Sequence, residues 1–139
     1  MDPSQNRAAL EAWAQQIIRN HVQSAGEALA EYCKKPRSAK RLHSARKQLA
    51  RLRAALDDLA PLAGVSAEFR DRVSQLHKRA GKVRDADVLQ ERVLGYCKGA
   101  HGEERSQLRD IREALCKRRK KARNKLSNVI AQTIPDLRP

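Results

Sequence analysis

Apolar residues recur at spacings of three and four along most of the chain, which is the period of an amphipathic α-helix. The most regular run lies between 38 and 59 and consists of Leu42, Ala45, Leu49, Leu52, Leu56 and Leu59. The same spacing predicts three further helices, over about 4–33, 66–96 and 103–133. Stretches containing Pro or Gly separate the four segments and predict short turns. The sequence therefore predicts an all-α fold, in which one domain spanning 1–139 forms an antiparallel four-helix bundle.

The third segment differs because its apolar stripe changes direction. Ser66 is placed to cap the first turn of this helix. One face then carries Phe69, Val73, Leu76, Ala80 and Val83, and a later stripe of Leu89, Val93 and Tyr96 is rotated away from it. We therefore predict a kink or break near 84–87, with Asp85 or Asp87 capping the part that follows.

The first and fourth segments supply the other candidate core positions. These are Leu10, Trp13, Ile17, Leu29 and Tyr32 in the first, and Leu108, Ile111, Leu115, Ala122, Leu126 and Val129 in the fourth. Aromatic residues make up only 3% of the chain, so the predicted core depends on aliphatic side chains.

Positive charge is concentrated in three parts of the chain. The formal net charge is +14, from 30 Lys and Arg against 16 Asp and Glu. The windows 37–53 and 117–125 each contain seven basic residues and no acid, and 70–84 contains six against one acid. A merely solvated helix face usually alternates the two signs, because opposite charges four residues apart attract. Basic clusters on three helices of one bundle instead predict a polyanionic ligand.

The second helix is amphipathic on two sides. A second row lies roughly 120° from the leucine stripe and consists of His43, Arg46, Ala50, Arg53 and Asp57. From His43 to Arg53 the row is about 15 Å long, because each residue rises ~1.5 Å. Guanidinium groups pair well with phosphate oxygens. A row of them suits a repeating phosphate chain better than a single small metabolite.

Several other functions are not indicated. Cys33, Cys97 and Cys116 lack metal-ligand spacing, so we expect reduced thiols. No apolar run reaches the roughly 18–20 residues that span a bilayer. The polar N-terminal residues do not resemble a secretory signal, and we expect a cytoplasmic protein without a membrane partner. Because no phosphate-binding loop, nucleophile elbow or metal triad is present, we expect no catalysis and no cofactor.

Two sequence elements together resemble the CHAD domain, the conserved-histidine α-helical domain. The first, HxxRKxxxRLR, consists of His43, Arg46, Lys47, Arg51, Leu52 and Arg53. The second, on the third predicted helix, consists of Leu76, Gly81, Val83, Arg84, Asp85, Asp87 and Val88. The resemblance implies a helical domain that binds inorganic polyphosphate and, in some members, associates with polyphosphate granules. Ala50 departs from it, because family members often carry a further basic residue there.

The resemblance makes six residues candidates for contact with polyphosphate, namely His43, Arg46, Lys47, Arg51, Arg53 and Arg84. Local charge, rather than the motif, adds Lys78, Arg79, Lys82, Arg118, Arg119, Lys121, Arg123 and Lys125. By contrast, His77 and His101 are interpreted as incidental to binding.

The resemblance also bears on assembly. The usual CHAD domain has two similar helical halves about a pseudo-twofold axis, and this chain has residues for one half. It therefore implies a homodimer in which two copies replace the two halves, with the basic clusters facing a shared groove.

The alternative function is non-specific electrostatic binding of nucleic acid, whose phosphates attract the same faces. The four aromatic residues lie mostly at predicted core positions, which argues against a platform for stacking single-stranded bases.

Overall fold

The computed structural model describes residues 2–137, with side-chain surroundings described for 2–133. It contains four helices: α1 (Pro3–Lys34), α2 (Ala39–Ala63), α3 (Ala67–Cys97) and α4 (Gly102–Leu137). No strand occurs between 2 and 137, so the predicted all-α class is confirmed. The helix ends differ from the predicted ends by only a few residues.

Side-chain caps begin the first three helices. Asp2, Ser38 and Ser66 precede α1, α2 and α3, and each side chain accepts a hydrogen bond from a first-turn N–H at 3.2 Å. The predicted cap at Ser66 is therefore present. Gly64 caps the end of α2, and its φ of 70° lies in the left-handed region that residues with a Cβ rarely adopt. These local signals produce the tight turns that the sequence predicts.

The four helices pack in the order α1–α2–α3–α4, and α4 closes the ring against α1. Helices α1 and α2 are antiparallel, because Gln15 lies near the end of α2 and donates to the carbonyl of Ala63 at 3.5 Å. At the other end, Arg41 donates to the carbonyl of Glu31 at 2.8 Å. Contacts between α2 and α3, and between α3 and α4, also join positions that run in opposite directions. The antiparallel four-helix arrangement is confirmed.

The core is almost entirely aliphatic. Its largest fully buried side chains are Tyr32, Leu29, Leu42, Leu49, Leu52, Leu56, Leu76, Leu126, Ile130, Val73 and Val83. The predicted leucine stripe of α2 is thus buried, except that Leu59 is only half-buried. In α1 the buried face instead begins at Ala14, while Leu10 and Trp13 are 53% and 54% exposed. The prediction that these two residues lie in the core is wrong, because the first turns of α1 extend past the end of α2.

Helix α3 continues without a break through 84–87. Its buried face keeps one direction, because Asp87 and Gln90 follow Val83 at helical spacing and are themselves buried. The predicted break is therefore wrong, and neither Asp85 nor Asp87 caps a helix. The apolar stripe disappears because two core-facing positions are occupied by polar residues. Leu89 and Tyr96, which suggested a rotated stripe, are 40% and 71% exposed.

The side chains in the first half of α4 pack poorly against the rest of the bundle. No side chain between 102 and 118 is buried. Leu108 and Leu115 are half-buried and Ile111 is 48% exposed, so these three predicted core residues are outside the core. Leu126 and Ile130 are buried, and Ala122 and Val129 pack against the core from its edge.

In the described part of the chain, none of the helices has a stretch long and apolar enough to cross a membrane.

Candidate anion-binding surfaces

The structure divides the basic residues of α2, α3 and α4 into three groups. The α2–α3 cluster consists of Arg46, Arg53 and His77. The α3–α4 groove is a separate surface whose basic residues are Arg79, Lys82, Arg118, Lys121 and Lys125. The Asp87 network joins the two helices from inside and consists of Asp87, Gln90, Arg119 and Arg123. Helix α3 contributes to all three.

In the α2–α3 cluster, Arg53 Nη1 donates to His77 Nδ1 at 3.0 Å. Arginine has no acceptor, so Nδ1 is unprotonated and the neutral ring carries its hydrogen on Nε2. Partial burial, and then the positive charges of Arg53 and Arg46, lower the pKa of His77 below its usual 6.5. His77 is therefore a neutral donor that contacts one guanidinium group, that of Arg53, and lies within the electrostatic influence of a second, that of Arg46. His77 is not among the ligand candidates predicted from the sequence, although it lies next to buried Leu76 on α3.

The other motif residues occupy different positions. His43, Lys47 and Arg51 are exposed on α2. Arg84 is half-buried on α3, seven residues after His77 and hence on the same side of that helix. The structure thus brings Arg46 and Arg53 together around His77 and leaves the remaining motif cations of α2 on its outer surface.

An acidic residue marks one end of the α2–α3 cluster. Asp57, the last member of the second row on α2, lies 3.5 Å from the Arg70 guanidinium. Both side chains are largely exposed, so this ion pair contributes little to stability. The negative charge of Asp57 nevertheless offsets positive charge at the Arg53 end of the row. The uncompensated positive charge of the row therefore lies towards Arg46.

The α3–α4 groove has a volume of about 460 Å³. Its lining includes five basic residues and a single acid, Asp85. Repulsion from Arg79, and next from Lys78, lowers the pKa of Lys82, and Lys125 and Arg118 add to the effect across the groove. Cations from two helices are therefore held close enough to repel one another, and an anion in the groove would relieve that repulsion.

The Asp87 network is largely removed from solvent. Asp87 is 5% exposed, and Arg119 Nε lies 2.5 Å from its Oδ1. Arg119 Nη1 also donates to Gln90 Oε1 at 2.6 Å, and Arg123 Nη2 lies 3.6 Å from the same Asp87 oxygen. A buried carboxylate needs such partners, because desolvation strongly disfavours an unpaired charge. Pairing with arginine, rather than capping, accounts for Asp87.

This network divides the predicted cluster on α4. Arg118, Lys121 and Lys125 line the α3–α4 groove, whereas Arg119 and Arg123 point to Asp87 and line a different pocket. The eight residues selected by local charge therefore do not form one continuous surface.

Among the described residues, no group of three or more His, Cys, Asp and Glu side chains is arranged to hold a metal ion. Cys33 and Cys116 are exposed and Cys97 is half-buried, all as free thiols.

A family model, that of the CHAD domain, matches residues 3–133 of the 139-residue chain. The matched region contains all three groups of basic residues described above. Neither the curated proteins nor the solved structures include a significant match.

Substitution of Asp87 tests the network. Asp87→Asn removes the charge that Arg119 and Arg123 share, and we expect a loss of about 3 kcal/mol in the free energy of unfolding. The matched control is Asp85→Asn, two residues away and exposed, for which we expect a change within about 0.5 kcal/mol. Denaturant unfolding followed by circular dichroism measures both. Equal effects of the two substitutions would contradict a stabilising role for the network.

The environment of His77 predicts a pH dependence. We expect NMR titration to give His77 a pKa below 6.5, and Arg53→Gln to raise it. The distant Arg7→Gln should leave it unchanged. Because the folded-state pKa is the lower one, the unfolded chain binds the proton more tightly. His77 therefore contributes stability above pH 6.5 that is lost as the pH falls towards the folded-state pKa. A His77 pKa insensitive to Arg53→Gln would show that the contact is absent in solution.

Proposed function

The chain belongs to the CHAD family, and we propose that it binds inorganic polyphosphate without catalysing a reaction. The family is linked to polyphosphate binding and is generally non-catalytic. The observation that carries the proposal is the α3–α4 groove, where cations from both helices line one surface around Lys82. A flexible chain of phosphates can place one negative group beside each of these cations.

We propose that the polymer crosses α3, which separates the α2–α3 cluster from the α3–α4 groove. Lys78 is exposed and lies in sequence between His77, which belongs to the α2–α3 cluster, and Arg79, which lines the α3–α4 groove. An α-helix with its side chains is about 10–12 Å wide, so only an extended anion can reach both sides. Arg46 and Arg53 would bind phosphates on one side, and Lys82, Lys121 and Lys125 on the other. Four further residues extend this path on the side of α3 that faces α2, namely His43, Lys47 and Arg51 on α2 and Arg84 on α3.

His77 gives the α2–α3 cluster a neutral donor close to its two cations. The Nε2–H group can donate to a phosphate oxygen while the ring is uncharged. A bound phosphate would also favour protonation of the ring, because it offsets the charges of Arg46 and Arg53. Binding on this side of α3 would therefore strengthen as the pH falls through the range in which His77 titrates.

We also propose that two copies associate, as the family resemblance implies. Support comes from the α3–α4 hairpin, where Ile111 and Tyr96 are 48% and 71% exposed. In the half of α4 that contains Ile111, between 102 and 118, no side chain is buried. A second copy packed on this hairpin would remove these apolar side chains from water, which is favourable. Two copies would bring two sets of basic clusters into one assembly, which would then collect at cytoplasmic polyphosphate granules.

Light scattering of matched variants tests this association. Ile111→Glu places a charge on the hairpin, and we expect the mass to fall from twice the 15.7 kDa of the chain to that of one chain. The control, Leu10→Glu, changes a residue of similar exposure on α1 and should leave the dimer intact. A wild-type protein that is monomeric both free and with polyphosphate would contradict the homodimer.

Titration with long-chain polyphosphate at two salt concentrations tests the main proposal. We expect Arg46→Gln/Arg53→Gln and Lys82→Gln/Lys121→Gln each to weaken binding by about tenfold or more, corresponding to ~1.4 kcal/mol. The control Arg7→Gln/Arg19→Gln removes the same charge from α1 and should change affinity by less than about threefold, ~0.6 kcal/mol.

Short duplex DNA serves as the competitor in the same titrations. We expect it to displace polyphosphate poorly at matched phosphate concentration. Equal competition by DNA, together with equal losses in all three double variants, would contradict a specific polyphosphate surface and would favour non-specific nucleic-acid binding.

A further inference from the structure

A larger pocket lies on a different face of α4 from the α3–α4 groove. It has a volume of about 880 Å³ and is formed by α4 and the loop that joins α1 to α2. The lining residues are Lys35, Pro36, Arg37, Ser38, Cys116, Arg119, Lys120, Arg123, Asn124 and Ser127. Five of them are basic and none is acidic. We call this the loop pocket.

Two of its cations are held in place from behind. Arg119 is anchored to Asp87 and Gln90 of α3, and Arg123 lies beside the same carboxylate. Asp87 supplies one negative charge against these two guanidinium groups, so the anchored pair keeps a positive charge. Lys35, Arg37 and Lys120 are exposed around it and add three more. The loop pocket therefore combines fixed cations at its base with exposed cations at its rim.

Arg123 has unused hydrogen-bonding capacity. Its side chain is 16% exposed, and its Nε and Nη2 atoms are buried without a hydrogen-bond acceptor in the described part of the chain. Burial, and then the charge of Arg119, lower the pKa of Arg123, and Arg37 adds to the effect. A desolvated donor without an acceptor is unfavourable. An anion that accepts these hydrogen bonds would remove that penalty.

Neutral donors complete the lining. Ser38 is the N-cap of α2, so the positive end of that helix lies at the pocket wall. Asn124 and Ser127 contribute an amide and a hydroxyl from α4. The volume is within the roughly 300–1,000 Å³ usual for sites that take small molecules. Charge, donors and size all favour a compact anion with several phosphate groups.

We propose that the loop pocket is a second anion site, distinct from the polymer surface around α3, which binds a compact oligophosphate. The ligand class is a short chain of phosphates, either free or attached to a nucleoside. Arg119 and Arg123 bind it at the base, and Lys35, Arg37 and Lys120 close over it. This site needs no polyphosphate bound elsewhere and no second copy of the chain.

Calorimetric titration with inorganic tripolyphosphate, and separately with a nucleoside triphosphate, tests the site. The pocket variant Lys35→Gln/Arg37→Gln/Lys120→Gln should weaken tripolyphosphate binding at least tenfold. The control variant Arg7→Gln/Arg19→Gln/Arg92→Gln removes the same charge from positions that line neither the loop pocket nor the α3–α4 groove, and should weaken it less than threefold. All six residues are exposed, and circular dichroism verifies the fold of both variants. The nucleoside triphosphate shows which source of oligophosphate the pocket takes.

Thiol alkylation supplies a measurement that does not rely on substitution. Cys116 lines the loop pocket and is exposed, whereas Cys33 is exposed but does not line it. Bound tripolyphosphate should slow alkylation of Cys116 at least threefold, by blocking access and disfavouring the thiolate, and should leave Cys33 unchanged. Mass spectrometry of the modified peptides measures both rates.

Equal losses in the pocket and control variants, or an unprotected Cys116, would overturn the proposal. The two proposals fail separately. Tripolyphosphate binding that depends on the loop pocket, with no binding of long-chain polyphosphate, would refute the polymer surface and retain this site. Binding of long-chain polyphosphate, with no tripolyphosphate binding that depends on the loop pocket, would refute this site alone.

Discussion

The buried carboxylate of Asp87 determines which cations of α4 are held in place and which stay unpaired on the α3–α4 groove. It lies between α3 and α4, where a charge without partners would be strongly unfavourable, and it draws Arg119 and Arg123 towards itself. Arg118, Lys121 and Lys125, at the alternate positions of the same helix, are left on the α3–α4 groove. The helical period places the two sets on different faces of α4, and the acid on α3 gives these faces different surroundings. One is an open groove of repelling cations, and the other is a pocket whose arginines are fixed.

An aliphatic core makes this concentration of charge tolerable. The leucines of α2 and their partners on α1 and α3 are fully buried, and burial of apolar surface is the main favourable term in folding. Outside the Asp87 network, the basic residues add little favourable pairing of their own, since the ion pairs on the outer surface of α1 are largely exposed. Stability therefore comes from the inside of the bundle, and the repulsion outside is left available for an anionic ligand to relieve.

The sequence predicted the parts of the fold that depend on local signals. The leucine stripe of α2 and the cap at Ser66 lie where the pattern indicates, and the turns follow close to their predicted positions, although Pro61 lies inside α2 and Gly95 inside α3. The continuity of α3 was not predictable in the same way, because the partner of Gln90 is Arg119, 29 residues away in the chain. The positions of candidate cations followed from charge counts, and the helical period assigns them to different faces of α4, but the pairing of Arg119 and Arg123 with Asp87 depends on a contact between two helices. His77 was missed because its significance comes from Arg53 on another helix.

The separation of basic residues around α4 has a consequence for how two ligands would influence each other. Anions on the two faces of one helix are about 10–12 Å apart across its width, which is close to the screening length of ~8 Å at physiological salt. The first anion to bind lowers the local positive potential, so the second binds more weakly, and by reciprocity the effect is equal in both directions. This anticooperativity is strongest in dilute buffer and fades as salt is added. At low ionic strength, anion binding on one face of α4 therefore affects anion binding on the other face. At high ionic strength, the two faces bind anions independently.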